Sequence, residues 1–468
     1  MEKKFLDTVH GYISVPESYC DKLIDTKYFQ RLRRIEQTSA RSLFPCARHD
    51  RFVHSLGVYH LGRKFVASIS RQMAIEEAMK QTFQIACLLH DCGHSPFSHT
   101  LEYLFGTPEN LFKIYVEEIK KRGLDKTIDG VDITKRDTKQ HEIISALLCI
   151  TVYYEAIIEL GGNPSLVGRM IMGIPYGTIE KSLEDCFISL LHGDVIDTDK
   201  LDYICRDKWA SGYLADSVDL DRLIDAVVIH KDHEGRYKIA YSKSCLNEIQ
   251  ALIDSKNFQS NWVFNHHQVV YEQKLLKDSV KELVQYLQGG EGNNPEKLFN
   301  YNAFFDKQPV CDNVEIYLPS DDDIVHLIKV YHKENDHADE WLSRDYKFFP
   351  LWKSHPEMKA LLGGEIADKV LKDKGKIYDD ICKVISDKFN HEAFSLDATP
   401  KVKVIHRGEI EIRFSDDNYM DFCDLNLPTA TDVYADQTFK YVFAETNIKS
   451  KATEIIASIK TFVEANNN

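Results

Sequence analysis

The amino-acid sequence predicts a mainly α-helical protein that ends in a smaller lobe of mixed helix and strand. Through about residue 290, apolar side chains recur at three- and four-residue intervals, as they do from Tyr59 to Ile69, and this spacing places them on one helix face. Further along, residues 401–405 and 409–414 alternate between apolar and polar side chains, which is typical of strands. A helical core followed by an α+β lobe accounts for both patterns.

The boundary between the two parts is expected over residues 289–298, where glycine and asparagine are frequent and a proline follows, as is usual in loops. Because 468 residues exceed what one core usually supports, we expect the helical core over 1–288 and the α+β lobe over 299–468. The elements expected in this lobe are a hairpin of residues 401–405 and 409–414, a strand over 440–444 and a closing helix over 452–465.

The composition is that of an ordinary globular protein, with 43% apolar and 28% charged residues. No apolar run approaches the ~20 residues needed to span a bilayer, and the first residues lack the apolar stretch of a secretory signal, so a cytoplasmic location is expected. The 11 cysteines are scattered without Cys-x-x-Cys spacing, which favours reduced thiols over disulfides or a zinc ribbon.

The formal net charge of −15 argues against extensive nucleic-acid binding, because such binding relies on Lys and Arg to neutralise phosphates. A small anionic ligand would instead need local positive charge or a metal ion. Two arginine clusters, Arg31/Arg33/Arg34 and Arg48/Arg51, could provide that charge. They could equally form a solvated helix face, and the clusters alone leave both interpretations open.

The segment from His90 to His99 holds three histidines and an aspartate directly behind an apolar run. An imidazole or carboxylate buried there needs a partner, because burial without one costs free energy. A divalent metal satisfies both groups, and the mixed donors leave manganese, iron, magnesium, zinc and cobalt open. His54 and Asp199, each taken alone, would more often be a core histidine and a surface charge. Together with the adjacent pair His90 and Asp91, they predict one metal centre built from three segments.

In this series of motifs the sequence resembles the HD-domain phosphohydrolases, and among them the deoxynucleoside triphosphate triphosphohydrolases. The resemblance covers roughly the first 280 residues, in the family's order. The matching segments are Asp7-Thr8-Val9-His10-Gly11, residues 24–37, 51–57 and 90–102, His141-Glu142, residues 199–207 and residues 267–271. The resemblance implies that the helical part is an HD-domain core.

Carried over position by position, the resemblance also implies site residues. The metal ligands would be His54, His90, Asp91 and Asp199, and the residues around the triphosphate would be His94, His99, Glu102 and His141. Ser95 and Pro96 predict the N-cap and first residue of a new helix, on which His99 and Glu102 lie three residues apart and in contact. His99 would then be a general acid for the departing 5′ oxygen or the group that manages water; the alternative is that these histidines only cap and hydrogen-bond locally.

The same resemblance implies a substrate site. Its residues would be Arg51, Lys200 and Arg206 for phosphates, Gln37, Tyr203, Asp207 and Tyr271 for the sugar, and His267 in the same segment as Tyr271. Thr38 departs from the aliphatic residue that some relatives place against the 2′ carbon, which weakens the prediction of deoxyribose selection. Val263 stands where some relatives have a phosphate-binding arginine, which implies redistributed triphosphate contacts.

Asp25, Gln30 and Arg33 match a segment that binds an effector nucleotide between subunits in nucleotide-activated relatives. This implies a homo-oligomer under allosteric control, although the segment could equally only pack the core. The predicted activity is metal-dependent hydrolysis of deoxynucleoside triphosphates to deoxynucleoside and inorganic triphosphate, which would balance nucleotide pools or serve in phage defence. The alternatives are an HD-type nucleotidase or phosphodiesterase, and a nucleotide sensor without catalysis.

Overall fold

The structure, a computed structural model, is mainly α-helical with small sheets, as the sequence predicted. It describes residues 1–38, 43–213, 217–288, 298, 300–311, 314–331, 336–373, 375–399, 405–416, 418–425 and 437–465. Within these segments, no helix combines the length and the apolar character needed to cross a membrane.

The elements are joined by turns, several of which are short 3-10 or π segments. The strands are β1 (Glu2–Asp7), β2 (Gly11–Pro16), β3 (Val227–Lys231), β4 (Tyr237–Ser242), β5 (Gln308–Cys311), β6 (Val314–Ile316), β7 (Phe348–Pro350), β8 (Ala393–Asp397), β9 (Glu411–Ser415), β10 (Asn418–Asp421) and β11 (Lys440–Glu445). The helices are α1 (Glu17–Tyr19), α2 (Lys27–Gln30), α3 (Arg51–Ser70), α4 (Glu77–Leu89), α5 (Pro108–Lys121), α6 (Gln140–Ile150), α7 (Tyr154–Glu159), α8 (Pro164–Met172), α9 (Ser182–Leu191), α10 (Thr198–Ser211), α11 (Leu220–Asp225), α12 (Leu246–Phe258), α13 (His267–Leu287), α14 (Asp321–Tyr331), α15 (Asp336–Ser343), α16 (His355–Leu362), α17 (Gly364–Lys372), α18 (Lys376–Phe389) and α19 (Ala452–Ala465).

The first of two compact units contains Met1–Ser255, Val284–His326 and Ile405–Pro428. Its helices α3, α4, α6, α8 and α10 pack against one another and bury apolar side chains at helical spacing. Two N-caps define where the functional helices begin. The Asp50 carboxylate accepts the backbone N–H of Val53 at 3.0 Å before α3, and Asp197 does the same for α10.

A four-stranded sheet in the order β10-β9-β4-β3 belongs to the same unit. Strand β9 pairs antiparallel with β10 and parallel with β4. The predicted strand over 409–414 is therefore found as β9, but among the described residues its hairpin partner is β10. Most of the other predicted arm, residues 401–404, lies outside the described residues. Alternation of side chains identifies a strand without identifying its partner, which explains the difference.

The second unit contains Lys256–Leu283, Leu327–Val404 and Thr429–Asn468. Its sheet has the order β7-β11-β8, and β11 pairs antiparallel with both neighbours. Helices α18 and α19 pack together, and the buried side chains around them include Trp352 and Tyr378. The strand and the closing helix predicted over 440–444 and 452–465 are present as β11 and α19.

The two units alternate along the chain, whereas the sequence predicted a single boundary between 1–288 and 299–468. Residues 284–326 and 405–428 belong to the first unit although they lie largely beyond that boundary. Of the predicted boundary loop over 289–298, only Leu298 is among the described residues. Local composition marks a loop, but it carries no information about which unit the chain enters next.

Candidate functional site

Four side chains predicted as metal ligands converge in the first unit. His54 lies on α3, His90 and Asp91 directly follow α4, and Asp199 lies in the first turn of α10. Nε2 of His54 is 3.3 Å from Nε2 of His90 and 3.0 Å from Oδ1 of Asp199. The nearest carboxylate oxygens of Asp91 are 3.5 Å from Nε2 of His90 and 3.7 Å from Nε2 of His54. The structure therefore brings all four side chains together.

The Nδ1 atoms of His54 and His90, which face away from the cluster, each hydrogen-bond to the protein. Nδ1 of His54 donates to Oδ2 of Asp202 at 2.7 Å, and Nδ1 of His90 donates to the carbonyl oxygen of Cys87 at 3.0 Å. The Nε2 atoms of both rings then face the cluster and can offer a lone pair to a cation when the rings are neutral, an arrangement found in metal-ligating histidines. Two nitrogens that share a cation at about 2.1 Å lie about 3.0–3.4 Å apart for octahedral to tetrahedral angles. The observed spacing fits a divalent cation.

The charges of the cluster also favour a cation. Burial lowers the pKa of His54, but hydrogen bonds to Asp199 and Asp202 outweigh it and raise the pKa to about 10. Burial raises the pKa of Asp91, yet the Arg51 guanidinium and the neighbouring imidazoles hold it well below its usual range. Burial likewise raises the pKa of Asp199, and hydrogen bonds from His54 and His90 lower it more. Asp91 and Asp199 are thus ionised, and their negative charge favours positive charge on or beside the ring of His54.

Gly57, one helical turn after His54 on α3, allows α10 to approach closely. A Cβ atom on Gly57 would lie 1.9 Å from Oδ1 of Asp202 and 2.5 Å from an Nη atom of Arg206. Any side chain there would displace the carboxylate that orients His54. The glycine in the motif from Arg51 to Gly57 therefore has a steric role that spacing alone did not reveal.

A second cluster contains the imidazoles of His94, His99 and His141. The rings of His94 and His141 stack with centroids 4.1 Å apart, and the ring of His99 lies 4.9 Å from His94 and 5.2 Å from His141. The carboxylate of Glu102 accepts from Nδ1 of His141 at 2.6 Å and from Nδ1 of His99 at 3.0 Å. The four residues predicted around the triphosphate are therefore in mutual contact.

Glu102 and His141 form a buried pair. Burial raises the pKa of Glu102, but the charge and hydrogen bond of His141 lower it further, so the carboxylate stays ionised. Burial lowers the pKa of His141, and the charge and hydrogen bond of Glu102 raise it above its ordinary value. Glu102 also accepts the backbone N–H of His141 at 2.9 Å. The pair fixes the ring at the start of α6.

The helix predicted from Ser95 is not present. The segment instead forms two 3-10 turns, Ser98–Thr100 and Glu102–Phe105. Phe97 and Ser98 have φ values of 54° and 52°, and two successive left-handed residues with side chains cannot start an α-helix. The expected contact between His99 and Glu102 forms nevertheless, across the two turns.

Two buried side chains hold this strained segment. Arg31 donates to the carbonyl oxygens of Cys92, at 3.3 Å, and of His94. Asp321 accepts the backbone N–H of Phe97 at 2.6 Å. Burial raises the pKa of Asp321 to about 7. The sequence marked Arg31 only as part of a basic cluster and assigned no role to Asp321, and neither contact is local: Asp321 is 224 positions from Phe97.

His94 differs from its neighbours because both of its buried ring nitrogens lack a hydrogen-bond partner within the part of the chain that the structure describes. Burial, and then the charges of Arg51 and the adjacent histidines, hold the pKa of His94 well below its usual range, so the ring is neutral. Buried polar atoms of this kind are normally satisfied by water or a ligand. His94 is therefore suited to contact a bound group.

Three basic residues predicted to contact phosphates have different surroundings. Arg51 donates to Asp91 at 2.5 Å and to the Ser98 hydroxyl at 2.8 Å, so it joins the two clusters. Lys200 donates to the carbonyl oxygen of Gly193 at 2.7 Å and pairs with Asp197.

Arg206, the third of these residues, is bound to carboxylates. Its buried guanidinium donates twice to Asp202, at 2.8 and 3.0 Å, and once to Asp7 at 2.7 Å. Two carboxylates thus accept from all three of its nitrogens behind His54, and its phosphate contact remains a prediction. The more distant partner, Asp7, is 199 positions away in the sequence.

Asp207, one of the residues predicted to hold the sugar, has a partner that the sequence did not predict. Oδ1 of Asp207 accepts from Nε2 of His49 at 2.6 Å, and the carbonyl oxygen of His49 accepts the N–H of Gln37 at 3.1 Å. The Oε1 atom of Gln37 is buried without a partner among the described residues. Tyr203 is half-buried on α10, one turn before Asp207, and Thr38 is buried.

His267, Tyr271 and Val263 lie in the second unit. The Tyr271 hydroxyl donates to Glu340, and its ring stacks on Phe443 with centroids 5.0 Å apart. Burial and the neighbouring His266 lower the pKa of His267 to about 4, and Val263 is buried. Within this unit, Tyr271 has the contacts of a core aromatic residue, and its sugar contact remains a prediction.

The residues predicted to bind an effector form one group in the first unit. Lys3 donates to Asp25 at 3.2 Å. Oε1 of Gln30 accepts from Nε of Arg33 at 2.9 Å, and the Arg33 guanidinium lies 3.5 Å above the Phe52 ring. These contacts order the segment within its own chain, and effector binding remains a prediction. The cysteines whose side chains are described are not paired with one another.

The chain is similar to several known proteins. The HD domain family model matches residues 51–170. A deoxynucleoside triphosphate triphosphohydrolase SAMHD1 homolog from Dictyostelium discoideum is 27% identical over 301 residues, 63% of this chain and 52% of that protein. Deoxynucleoside triphosphate triphosphohydrolase SAMHD1 from Xenopus laevis is 33% identical over 222 residues, 44% of this chain and 34% of that protein. An uncharacterized protein from Mycoplasma genitalium is 28% identical over 265 residues, 56% of each chain.

The chain spans about half the length of the relatives from Mycoplasma genitalium and Dictyostelium discoideum. Two crystal structures cover nearly the whole chain. A hypothetical protein from Aquifex aeolicus has a TM-score of 0.63 and 20% identity, covering 97% of this chain and 100% of its own. A phosphohydrolase from Bacteroides thetaiotaomicron has a TM-score of 0.64 and 19% identity, covering 95% of this chain and 100% of its own. At this identity the likeness describes the fold.

Proposed function

We propose that this chain, whose residues 51–170 match the HD domain family model, is an HD-domain phosphohydrolase that hydrolyses deoxynucleoside triphosphates to deoxynucleosides and inorganic triphosphate. The observation that carries this proposal is the junction of two clusters by Arg51. Its guanidinium donates to Asp91 at 2.5 Å and to Ser98 at 2.8 Å, one residue before His99. The four predicted metal ligands and the cluster of three histidines thus lie on either side of one buried positive charge.

His54, His90, Asp91 and Asp199 are the residues that would hold a divalent cation. When bound there, the cation supplies a Lewis acid for a phosphoryl oxygen and lowers the pKa of a coordinated water. The outer contacts of the two rings, to Asp202 and to the Cys87 carbonyl, keep their Nε2 atoms directed inward. The identity of the cation is left to experiment, because the mixed donors suit several metals.

His99 is the residue best placed to protonate the leaving group. Its side chain is 62% exposed while that of Glu102 is only 8% exposed, so a buried carboxylate orients a ring that faces solvent. Nδ1 of His99 points to Glu102, which leaves Nε2 to donate a proton to the departing 5′ oxygen. Water forms the new bond to the α-phosphorus, the bond to the 5′ oxygen breaks, and that oxygen leaves as a hydroxyl.

His94 and His141 are proposed to contact the triphosphate. The unpartnered nitrogens of His94 can exchange hydrogen bonds with a bound group, and the raised pKa of His141 favours its cationic form beside an anion. The sugar would lie near Asp207 and Gln37, where His49 fixes the carboxylate. We also propose that the protein selects deoxyribose over ribose near Thr38. Comparing hydrolysis of deoxyribonucleotides and ribonucleotides tests this part of the proposal.

Nucleotide regulation and homo-oligomer formation also belong to the proposal. The related SAMHD1 proteins are named as deoxynucleoside triphosphate triphosphohydrolases, which supports the substrate class. Asp25, Gln30 and Arg33 are the candidate effector residues. Either control of nucleotide pools or removal of nucleotides from an infecting phage would use the same reaction.

The test uses purified protein with Mn²⁺ and each of the four dNTPs, alone and as a mixture, and with the matching ribonucleotides. Chromatography resolves the products. Deoxynucleoside with triphosphate supports the proposal, and activity only in the mixture adds allosteric activation. Orthophosphate or pyrophosphate would instead indicate a nucleotidase or another nucleotide hydrolase. Binding without turnover under every metal and nucleotide would indicate a sensor.

A further inference from the structure

The turn of the first hairpin lies behind the metal cluster. Strand β1 ends at Asp7 and β2 begins at Gly11, so the turn is Thr8-Val9-His10. The side chains of Asp7 and His10 are only 6% and 4% exposed. Buried polar side chains in a hairpin turn are unusual, because turns normally face solvent. The motif from Asp7 to Gly11 therefore has a role inside the protein.

His10 reaches the carboxylate that orients His54. Oδ1 of Asp202 accepts from Nε2 of His10 at 2.6 Å, while Oδ2 accepts from Nδ1 of His54 at 2.7 Å. Arg206 donates once to each oxygen, at 3.0 and 2.8 Å. Each oxygen thus accepts two hydrogen bonds, which occupies the lone pairs of a carboxylate. Asp202 is held in one orientation, and the hairpin supplies one of the bonds that hold it.

Asp7 connects the turn to the same network. Its Oδ2 atom accepts from Nη1 of Arg206 at 2.7 Å. Its Oδ1 atom accepts the backbone N–H groups of Val9 and His10, both at 2.8 Å. One carboxylate therefore shapes the turn and fixes the guanidinium that brackets Asp202. A movement of the turn would alter both supports of that carboxylate.

The charges of the network favour a cation. The contributing groups are the carboxylates of Asp7, Asp91, Asp199 and Asp202 and the guanidiniums of Arg51 and Arg206. The four carboxylates outnumber the two guanidiniums. A buried charge needs compensation, so removal of the Asp7 charge would weaken the attraction of the site for a cation as well as loosen the turn.

We propose that the β1–β2 turn is part of the outer sphere of the metal centre, and that Asp7 and His10 are positioning residues for His54 through Asp202 and Arg206. This inference rests on the metal site of the proposed function. It assigns a role to the motif from Asp7 to Gly11, which the reaction itself does not use. Outer contacts of this kind typically change metal affinity by about 10–100-fold.

The test measures Mn²⁺ affinity directly. Protein freed of metal by a chelator is titrated with Mn²⁺ alone, and free Mn²⁺ is followed by electron paramagnetic resonance. Asp7→Asn and His10→Leu are expected to bind Mn²⁺ about 10–100-fold more weakly than wild type. His10→Gln should recover most of the affinity, because its amide N–H can still donate to Asp202. Thr8→Ala is the matched control, since Thr8 is exposed in the same turn, and should bind like wild type.

Thermal unfolding of the same metal-free samples separates positioning from stability. If the hairpin variants are less stable but their folded fraction binds Mn²⁺ as wild type does, the inference is overturned and the turn only supports the fold. A failure of His10→Gln to recover affinity would equally remove the positioning role of His10. Should one variant not fold, the other position decides the result.

The outcome is also independent of the substrate. If wild type binds Mn²⁺ and does not hydrolyse dNTPs, the proposed function fails while the hairpin assignment is still decided by the affinities. If wild type hydrolyses dNTPs and both Asp7→Asn and His10→Leu retain full Mn²⁺ affinity, the hairpin inference alone fails.

Discussion

Nε2 of His54 lies 3.3 Å from Nε2 of His90, and a protein acceptor holds the other nitrogen of each ring. Two imidazole lone pairs at this distance repel unless a proton or a cation lies between them. Asp91 and Asp199 approach the same point from two other directions. A divalent cation relieves the repulsion and neutralises the carboxylates at once, which a proton cannot do.

We expect His90→Ala to lose bound metal and turnover together. The substitution removes one of two nitrogen donors and leaves the carboxylates uncompensated. Metal content after dialysis, measured by inductively coupled plasma mass spectrometry, should fall from about one Mn²⁺ per chain to less than a tenth of that. His233→Ala, in the exposed turn between β3 and β4, is the control. Full occupancy with a normal rate would contradict the ligand assignment.

The number of bound ions is informative in the same experiment. His94, His99 and His141 also have nitrogens close enough together to share a metal ion. One Mn²⁺ per chain agrees with the proposed roles. Two per chain, with the second lost in His94→Ala, would place a cation among these rings and remove His99 as a proton donor.

For His99→Ala we expect retained metal and nucleotide binding with a rate loss on the order of 10²–10⁴-fold. The ring is largely exposed, so its removal should cost little stability. The measurement compares kcat with the dissociation constant of a non-hydrolysable dNTP analogue. His326→Ala, exposed on α14, is the matched control. Unchanged kcat in His99→Ala would exclude this residue from the reaction.

Gly57→Ala should destabilise the protein although alanine favours helices. The new Cβ would lie 1.9 Å from Oδ1 of Asp202, so the carboxylate or the helix must move, at a cost of about 1–3 kcal/mol. Urea unfolding measures the change. Gly130→Ala is the control, because nothing lies within 4 Å of the Cβ built there. Equal stabilities of the two variants would show that the close approach at Gly57 is not required.

The pair of Glu102 and His141 predicts a pH-dependent contribution to stability. The pKa of Glu102 is lowered in the fold, so its contribution is present above its ordinary value of about 4.3 and is lost as the pH falls through the folded pKa. The pKa of His141 is raised, so its contribution is present below about 6.5 and is lost as the pH rises through the folded pKa.

Urea unfolding of wild type and Glu102→Gln between pH 4 and pH 9 tests this pair. The difference in unfolding free energy should be widest between about pH 4.3 and 6.5 and should narrow on both sides. A difference that is constant over the whole range would mean that the two groups do not titrate as a pair in the folded protein.

The sequence was a better guide to which side chains lie together in the site than to the hydrogen bonds that position them. His54, His90, Asp91 and Asp199 could be grouped because their types and order form a recognisable motif. The partners of Arg206 could not, since Asp7 is 199 positions away and the contact depends on packing of a hairpin against a helix.

The backbone conformation after Ser95 could likewise not be predicted from the sequence. Ser95 and Pro96 carry a local helix-start signal, but Arg31 and Asp321 hold the segment in a conformation with two left-handed residues. Tertiary contacts there outweigh local propensity. For β9, alternation identified the strand, while its partners came from 418–421 and from β4.

The most direct test of the central claim follows the oxygen of water. Wild-type protein loaded with Mn²⁺ hydrolyses a dNTP in ¹⁸O-labelled water, and mass spectrometry examines both products. We predict equal amounts of deoxynucleoside and triphosphate, with one ¹⁸O in the triphosphate and none in the deoxynucleoside. Label in the deoxynucleoside, release of orthophosphate or pyrophosphate, or no hydrolysis with any metal or nucleotide mixture would contradict it.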